Sequence, residues 1–168
     1  MKKAWFNVGA VVISFSAAYA QVPQRTTAAY DDWTVSCTTT GEANGKSCEA
    51  FSIQMIGNPP TPTSQITIKR AAKSEPFKVF IQVPANVWLE SGVRFVYDDK
   101  EPGLVAAFRW CIPARCLADA DLNDAALKKL RARTEPGHVE LKDAAQHDIS
   151  LPVSFKGFAP ALDWMEKQ

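Results

Sequence analysis

Beyond residue 30, apolar and polar residues alternate with a period of two along most of the chain. Trp33, Val35 and Cys37 alternate with Thr34 and Ser36. Phe51, Ile53 and Met55 alternate with Ser52 and Gln54, and Ile66 and Ile68 bracket Thr67. Phe77, Val79, Ile81 and Val83 form a longer set, and Val93, Phe95 and Tyr97 another. A period of two places each set on one face of a half-buried strand, so the apolar members are expected to point inward. Further strands are predicted over 104–110, 139–141 and 149–155, the last at a sheet edge because Pro152 lacks a ladder donor. Turn residues separate the runs at Asn58-Pro59-Pro60, Ser91-Gly92, 98–103 and Pro136-Gly137. Eight short strands spaced in this way predict a mainly β, antiparallel sandwich.

The period changes to that of a helix at two places. Asp121 is placed to cap the first helix, with Leu122, Ala126, Leu127 and Leu130 on one side. Acids precede it (Asp119, Asp121, Asp124) and bases end it (Lys128, Lys129, Arg131, Arg133), as the helix dipole favours. The second is short and C-terminal, with Pro160 in its first turn and Phe158, Ala161, Leu162 and Met165 as its stripe. Trp164 falls off that stripe, which suits packing over a loop or against a partner.

The opening residues, MKKAWFNVGAVVISFSAAYAQ, follow a different logic. A basic start, an apolar run and the small residues of Ala18-Tyr19-Ala20 predict a secretory leader over 1–20. The run is short for a membrane anchor, and no later stretch reads as a transmembrane segment. Cleavage after Ala20 leaves 148 of the 168 residues. The expected organisation is a flexible leader over 21–29 and one β-sandwich domain over 30–168. Removing Lys2 and Lys3 from the 19 basic residues leaves 17 against 18 acids. That balance offers no field to draw in nucleic acid.

Export changes the reading of sulfur, because thiols pair in an oxidising compartment. Cys37 and Cys48 flank a polar, glycine-containing loop, and Cys111 and Cys116 flank Ile112-Pro113-Ala114-Arg115. Four cysteines allow three pairings; the local one needs the shortest closures and would stabilise by about 3 and about 2 kcal/mol. Zinc ligation wants tighter cysteine spacing or nearby histidines, and the two histidines, His138 and His147, lie far along the chain in what read as polar loops. Redox catalysis wants Cys-x-x-Cys at a helix start, which four intervening residues do not match.

Several stretches in order resemble one family: YDDWTVSC (30–37) with Cys48, VPANVWL (83–89) with SGV (91–93), RWCIPARC (109–116), and SFKGF (154–158) with Ala161-Leu162. The chain is similar to the invasion-associated locus B family of exported bacterial proteins. Glycine is usual in the family where Asn86 and Arg115 stand here. The resemblance implies an Ig-like antiparallel β-sandwich in a Gram-negative envelope, in the periplasm, at the outer membrane or secreted. It supplies no reaction and no catalytic residues, and its name refers to invasion of host cells.

The chain also lacks a Gly-x-Ser-x-Gly elbow, a phosphate loop, a dinucleotide fingerprint and a His-Glu-x-x-His helix. Asp31-Asp32 and Asp98-Asp99 read as turn carboxylates. The expectation is therefore a binding module for a protein partner in the envelope or on a host cell, with no cofactor and no metal. Phe108, Arg109, Trp110 and Arg115 are the first candidates for contact, followed by Trp88 and Trp164. Two alternatives are a periplasmic thiol–disulfide enzyme using Cys111 and Cys116, and an envelope-structural or chaperone-like protein offering a sheet edge.

Overall fold

A computed structural model describes residues 24–39 and 45–168. The expected secretory leader lies outside the described residues. Among those described, ten strands form one hydrogen-bonded sheet in which every pairing is antiparallel. They are β1 (Gln24–Tyr30), β2 (Trp33–Thr39), β3 (Lys46–Ile56), β4 (Thr61–Lys69), β5 (Phe77–Pro84), β6 (Val93–Val96), β7 (Leu104–Ile112), β8 (Arg115–Leu122), β9 (Gly137–Lys142) and β10 (Asp148–Val153). Their order across the sheet is β1-β2-β3-β4-β5-β8-β7-β6-β9-β10.

The sheet folds over on itself, and β7 makes the corner. Its first residues pair with β6, and those from Ala107 onward pair with β8, with the register shifting between Phe108 and Trp110. Such an irregularity bends a strand and raises its twist. The second half of the sheet then comes back across the first, so that β10 lies against β3 and β4. The enclosed core holds Trp33, Ile66, Ile68, Val79, Ile81, Phe95, Val139 and Val153, all nearly inaccessible.

Helix α2 (Phe158–Glu166) closes one end. Phe158 meets Trp33 edge-on at 4.8 Å, and the Trp33 indole N–H donates to the Ser154 carbonyl at 2.9 Å. Its buried residues are Phe158, Ala161, Leu162 and Met165, the stripe expected from periodicity. Gly157 begins it with φ +85, and a side chain there would strike the Tyr30 carbonyl. Both demands favour glycine.

Four expectations need correction. Residues 24–29, expected as a flexible leader, belong to β1 and pair with β2 along the whole strand. Strand β8 has no counterpart in the expected set, because its inward positions include small Ala118 and Ala120 and its outward ones Asp119 and Asp121. Helix α1 (Asp124–Arg131) is capped by Asn123, whose side chain accepts from the Ala126 N–H at 2.8 Å; Asp121 and Leu122 are still in β8.

The fourth is β3, which faces the opposite way from its expected sense. Ser52 and Gln54 are buried, while Ile53 and Met55 are exposed. The cause is the disulfide Cys37–Cys48, between directly opposed residues. Opposed residues share a face, and Cys37 shares the inward one with Trp33 and Val35. Cys48, Ala50, Ser52 and Gln54 must follow it inward. The two buried polar side chains satisfy each other, the Gln54 amide donating to Ser52 Oγ at 2.9 Å.

Candidate binding surface

Strands β7 and β8 form a two-residue hairpin around Pro113 and Ala114, closed by Ile112 opposite Arg115. Next to that pair, Cys111 and Cys116 stand opposite each other and are bonded, with Cα atoms 4.0 Å apart. Cys116 is fully buried and points at the Ala85 carbonyl. Since the sulfurs lie on the inward face, the residues alternating with them must face outward. These are Trp110, Ile112, Arg115 and Leu117. Arg115 and Asn86 both have negative φ, so neither needs the glycine usual in the resembling family.

The outward positions continue in register from strand to strand. Trp110 stands opposite Leu117, Leu117 opposite Gln82, Gln82 opposite Gln65, and Gln65 opposite Ile53. Four strand spacings make this row about 19 Å long across β7, β8, β5, β4 and β3. Beside it lie Ile112 and Arg115 at one end and Met55 at the other. Trp110, Ile112, Ile53 and Met55 are 48%, 43%, 45% and 50% exposed. The row therefore has an exposed apolar group at each end, Trp110 with Ile112 and Ile53 with Met55, and the amides of Gln82 and Gln65 separate the two.

Charges border the row. Arg109, at the register shift, pairs with Asp119, and Lys78 bonds Asp121 at 2.7 Å and approaches Asp119 at 3.8 Å. The Asp121 hydrogen bond raises the Lys78 pKa. Arg115 has no ion pair among the described residues.

The six candidate contact residues therefore separate. Trp110, Arg109 and Arg115 share the outer face. Phe108 lies on the other side of the same strand, opposite buried Ala118, and packs half-buried on the core. Trp88 is half-buried before the turn at Leu89–Ser91, its backbone N–H donating to the Lys142 carbonyl at 2.9 Å. Trp164 packs half-buried on the core from α2. Ile53, Met55, Ile112 and Leu117 complete the face and were not among the candidates. Parity counted from Cys48 and Cys116 was the signal that places them.

Two other concavities have their charges largely engaged. A cavity of about 640 Å³ includes Lys46, Arg70, Lys73, Phe77 and Met165. There Lys46 and Lys73 both reach Gln168, at 2.7 and 3.2 Å, and Arg70 lies over the Phe77 ring. A groove of about 540 Å³ on the outer side of β6, β9 and β10 contains the pairs Arg94–Glu140 and Lys142–Asp148. His138, expected in a loop, lies in β9 with Nε2 3.0 Å from Glu140, and His147 meets Asp143 at 3.1 Å. Among the described residues, no group of three or more His, Cys, Asp or Glu side chains gathers as a metal site requires, and no helix is long and apolar enough to cross a membrane.

Comparison with known proteins places this architecture. No curated protein sequence matches the chain. The crystal structure of invasion associated protein B from Bartonella henselae superposes with a TM-score of 0.72 over 83% of this chain and 94% of that one, at 18% sequence identity. At that identity the likeness speaks for the fold alone. The family model described as Invasion associated locus B (IalB) protein matches residues 33–166, which include both disulfides, all strands but β1, and both helices. The chain belongs to the invasion associated locus B (IalB) family.

Proposed function

We propose that this chain is an exported, non-catalytic binding module of the bacterial envelope. It engages a protein partner through the outer face of β3, β4, β5, β8 and β7. The observation that carries this reading is the row from Trp110 to Ile53, with exposed apolar groups at both ends and glutamine amides between them. Tryptophan and arginine are enriched where binding energy concentrates, and Trp110 and Arg115 lie on this face. The solved neighbour is called an invasion associated protein, which supports a partner on a host cell or in the envelope. Both sulfur pairs are cross-strand staples, which supports a rigid platform in an oxidising compartment.

The test is crosslinking in intact cells with the native chain and with Trp110→Ala combined with Ile112→Ser. Both positions are exposed, so the variant is expected to fold and to lose at least about tenfold of the recovered partner. Unchanged recovery would remove this surface from the account.

One observation favours a second reading, thiol–disulfide exchange: Cys111 is exposed while Cys116 is buried. A measured reduction potential separates the two. A structural staple sits below about −300 mV, and a catalytic pair sits above it.

A further inference from the structure

The sheet has two outer strands, and they differ. Strand β10 contains Pro152, which lacks a donor, and exposed Asp148. Proline and charge are common devices against unwanted strand pairing. Strand β1, Gln24-Arg25-Thr26-Thr27-Ala28-Ala29-Tyr30, has no proline, no lysine and no acidic residue, and pairs with β2 without a register shift. Gln24, Arg25, Thr26, Thr27 and Ala29 are exposed.

The hydrogen-bonding sense of β1 follows from the disulfide beside it. Cys37 and Cys48 have Cα atoms 4.0 Å apart, the close approach of an antiparallel pair that exchanges no backbone hydrogen bonds. The amide and carbonyl of Cys37 therefore turn away from β3 and toward β1, where Thr26 is its partner. Alternation then assigns Gln24, Thr26, Ala28 and Tyr30 to bonding with β2. It leaves the N–H and C=O groups of Arg25, Thr27 and Ala29 directed at an edge that no strand among the described residues covers.

We infer that this edge is a self-pairing interface: β1 of one copy adds antiparallel to β1 of a second copy, about a two-fold axis at Thr27. In that register Thr27 faces Thr27 of the second copy, and Arg25 faces Ala29 in both directions. All three residues with free backbone groups thus meet partners of the same kind. The flanking pairs are Thr26 with Ala28 and Gln24 with Tyr30. The two arginines are kept apart along the strand, and no like charges stand opposite. Arg25 is already drawn back over its own sheet by its bond to Ser36 Oγ at 2.8 Å. An axis perpendicular to the sheet continues it without a break and turns both outer faces the same way. Paired display of the row from Trp110 to Ile53 rests on the proposed function; the self-pairing does not.

Sedimentation of the exported protein across a wide concentration range tests the inference. The native protein is expected to dimerise with rising concentration. Thr27→Pro removes two symmetric hydrogen bonds of the interface but none to β2, and should sediment as a monomer that melts where the native protein does at dilutions at which it too is monomeric. Thr27→Lys and Thr27→Glu each place like charges opposite and should weaken association by at least about fivefold; mixed together, they should form a heterodimer. A native protein that stays monomeric, or a dimer unaffected by all three substitutions, overturns the inference.

Discussion

Asp143 gathers three donors in the turn between β9 and β10. Its Oδ1 accepts from the backbone N–H groups of Ala145 and His147, at 2.8 and 2.9 Å, and its Oδ2 lies 3.1 Å from His147 Nδ1. The His147 backbone bond is the main cause that lowers its pKa, with the ring contact adding to it. A lowered carboxylate pKa stabilises the fold above the unfolded value, and that contribution fades as pH falls through the folded one. An NMR titration should therefore find the Asp143 midpoint below that of an ordinary aspartate. His147→Ala should raise the midpoint only part of the way, because the backbone donor stays; an ordinary midpoint in the native protein would contradict this. At α1, Asn123→Ala is expected to cost about 1 kcal/mol in chemical denaturation, as loss of a helix cap does. That cap shows what single residues reveal before folding. Asp121 and Asn123 are both good capping types close to the same helix. Only pairing of Asp121 with Lys78 across β5 and β8 decides between them.

Strand β3 carries the main lesson at the level of elements. Alternation correctly marked it as a strand but not which side faces in, because apolar and polar sets are equally regular there. Disulfide parity overrides hydrophobicity, sending Ser52 and Gln54 inward and Ile53 and Met55 outward. Denaturation should then find Ile53→Ser within about 0.5 kcal/mol of the native protein. Ser52→Leu should cost about 1–3 kcal/mol by overpacking and by leaving Gln54 without its partner. The reverse ranking would restore the hydrophobic reading. Strands with a strong inward set, such as β5 with Phe77, Val79, Ile81 and Val83, were legible directly. β1 and β8 were not. The first is exposed on both sides along much of its length, and the second presents alanines inward and aspartates outward.

For the molecule as a whole, β7 joins two halves of one sheet into a sandwich, and α2 caps the Trp33 end. The mainly β architecture, the two short helices and the local disulfides were all readable from periodicity, turn chemistry and export. The face proposed for binding was readable only at one end, where Trp110 and Arg115 flank the staple. Its other end depends on the sense of β3, which follows from the parity of Cys48 and not from the alternation of apolar and polar residues. Removing both sulfurs of Cys37–Cys48 by serine should cost about 3 kcal/mol in denaturation. The central claim is that a partner rests on the row across β7, β8, β5, β4 and β3. Photocrosslinking groups placed singly at Ile53, Gln65, Gln82 and Leu117, with Ser150 on the far half of the sheet as control, test it most directly in intact cells. The account predicts one common adduct from all four row positions and none from Ser150; no adduct from the row, or the same adduct from every position, would contradict it.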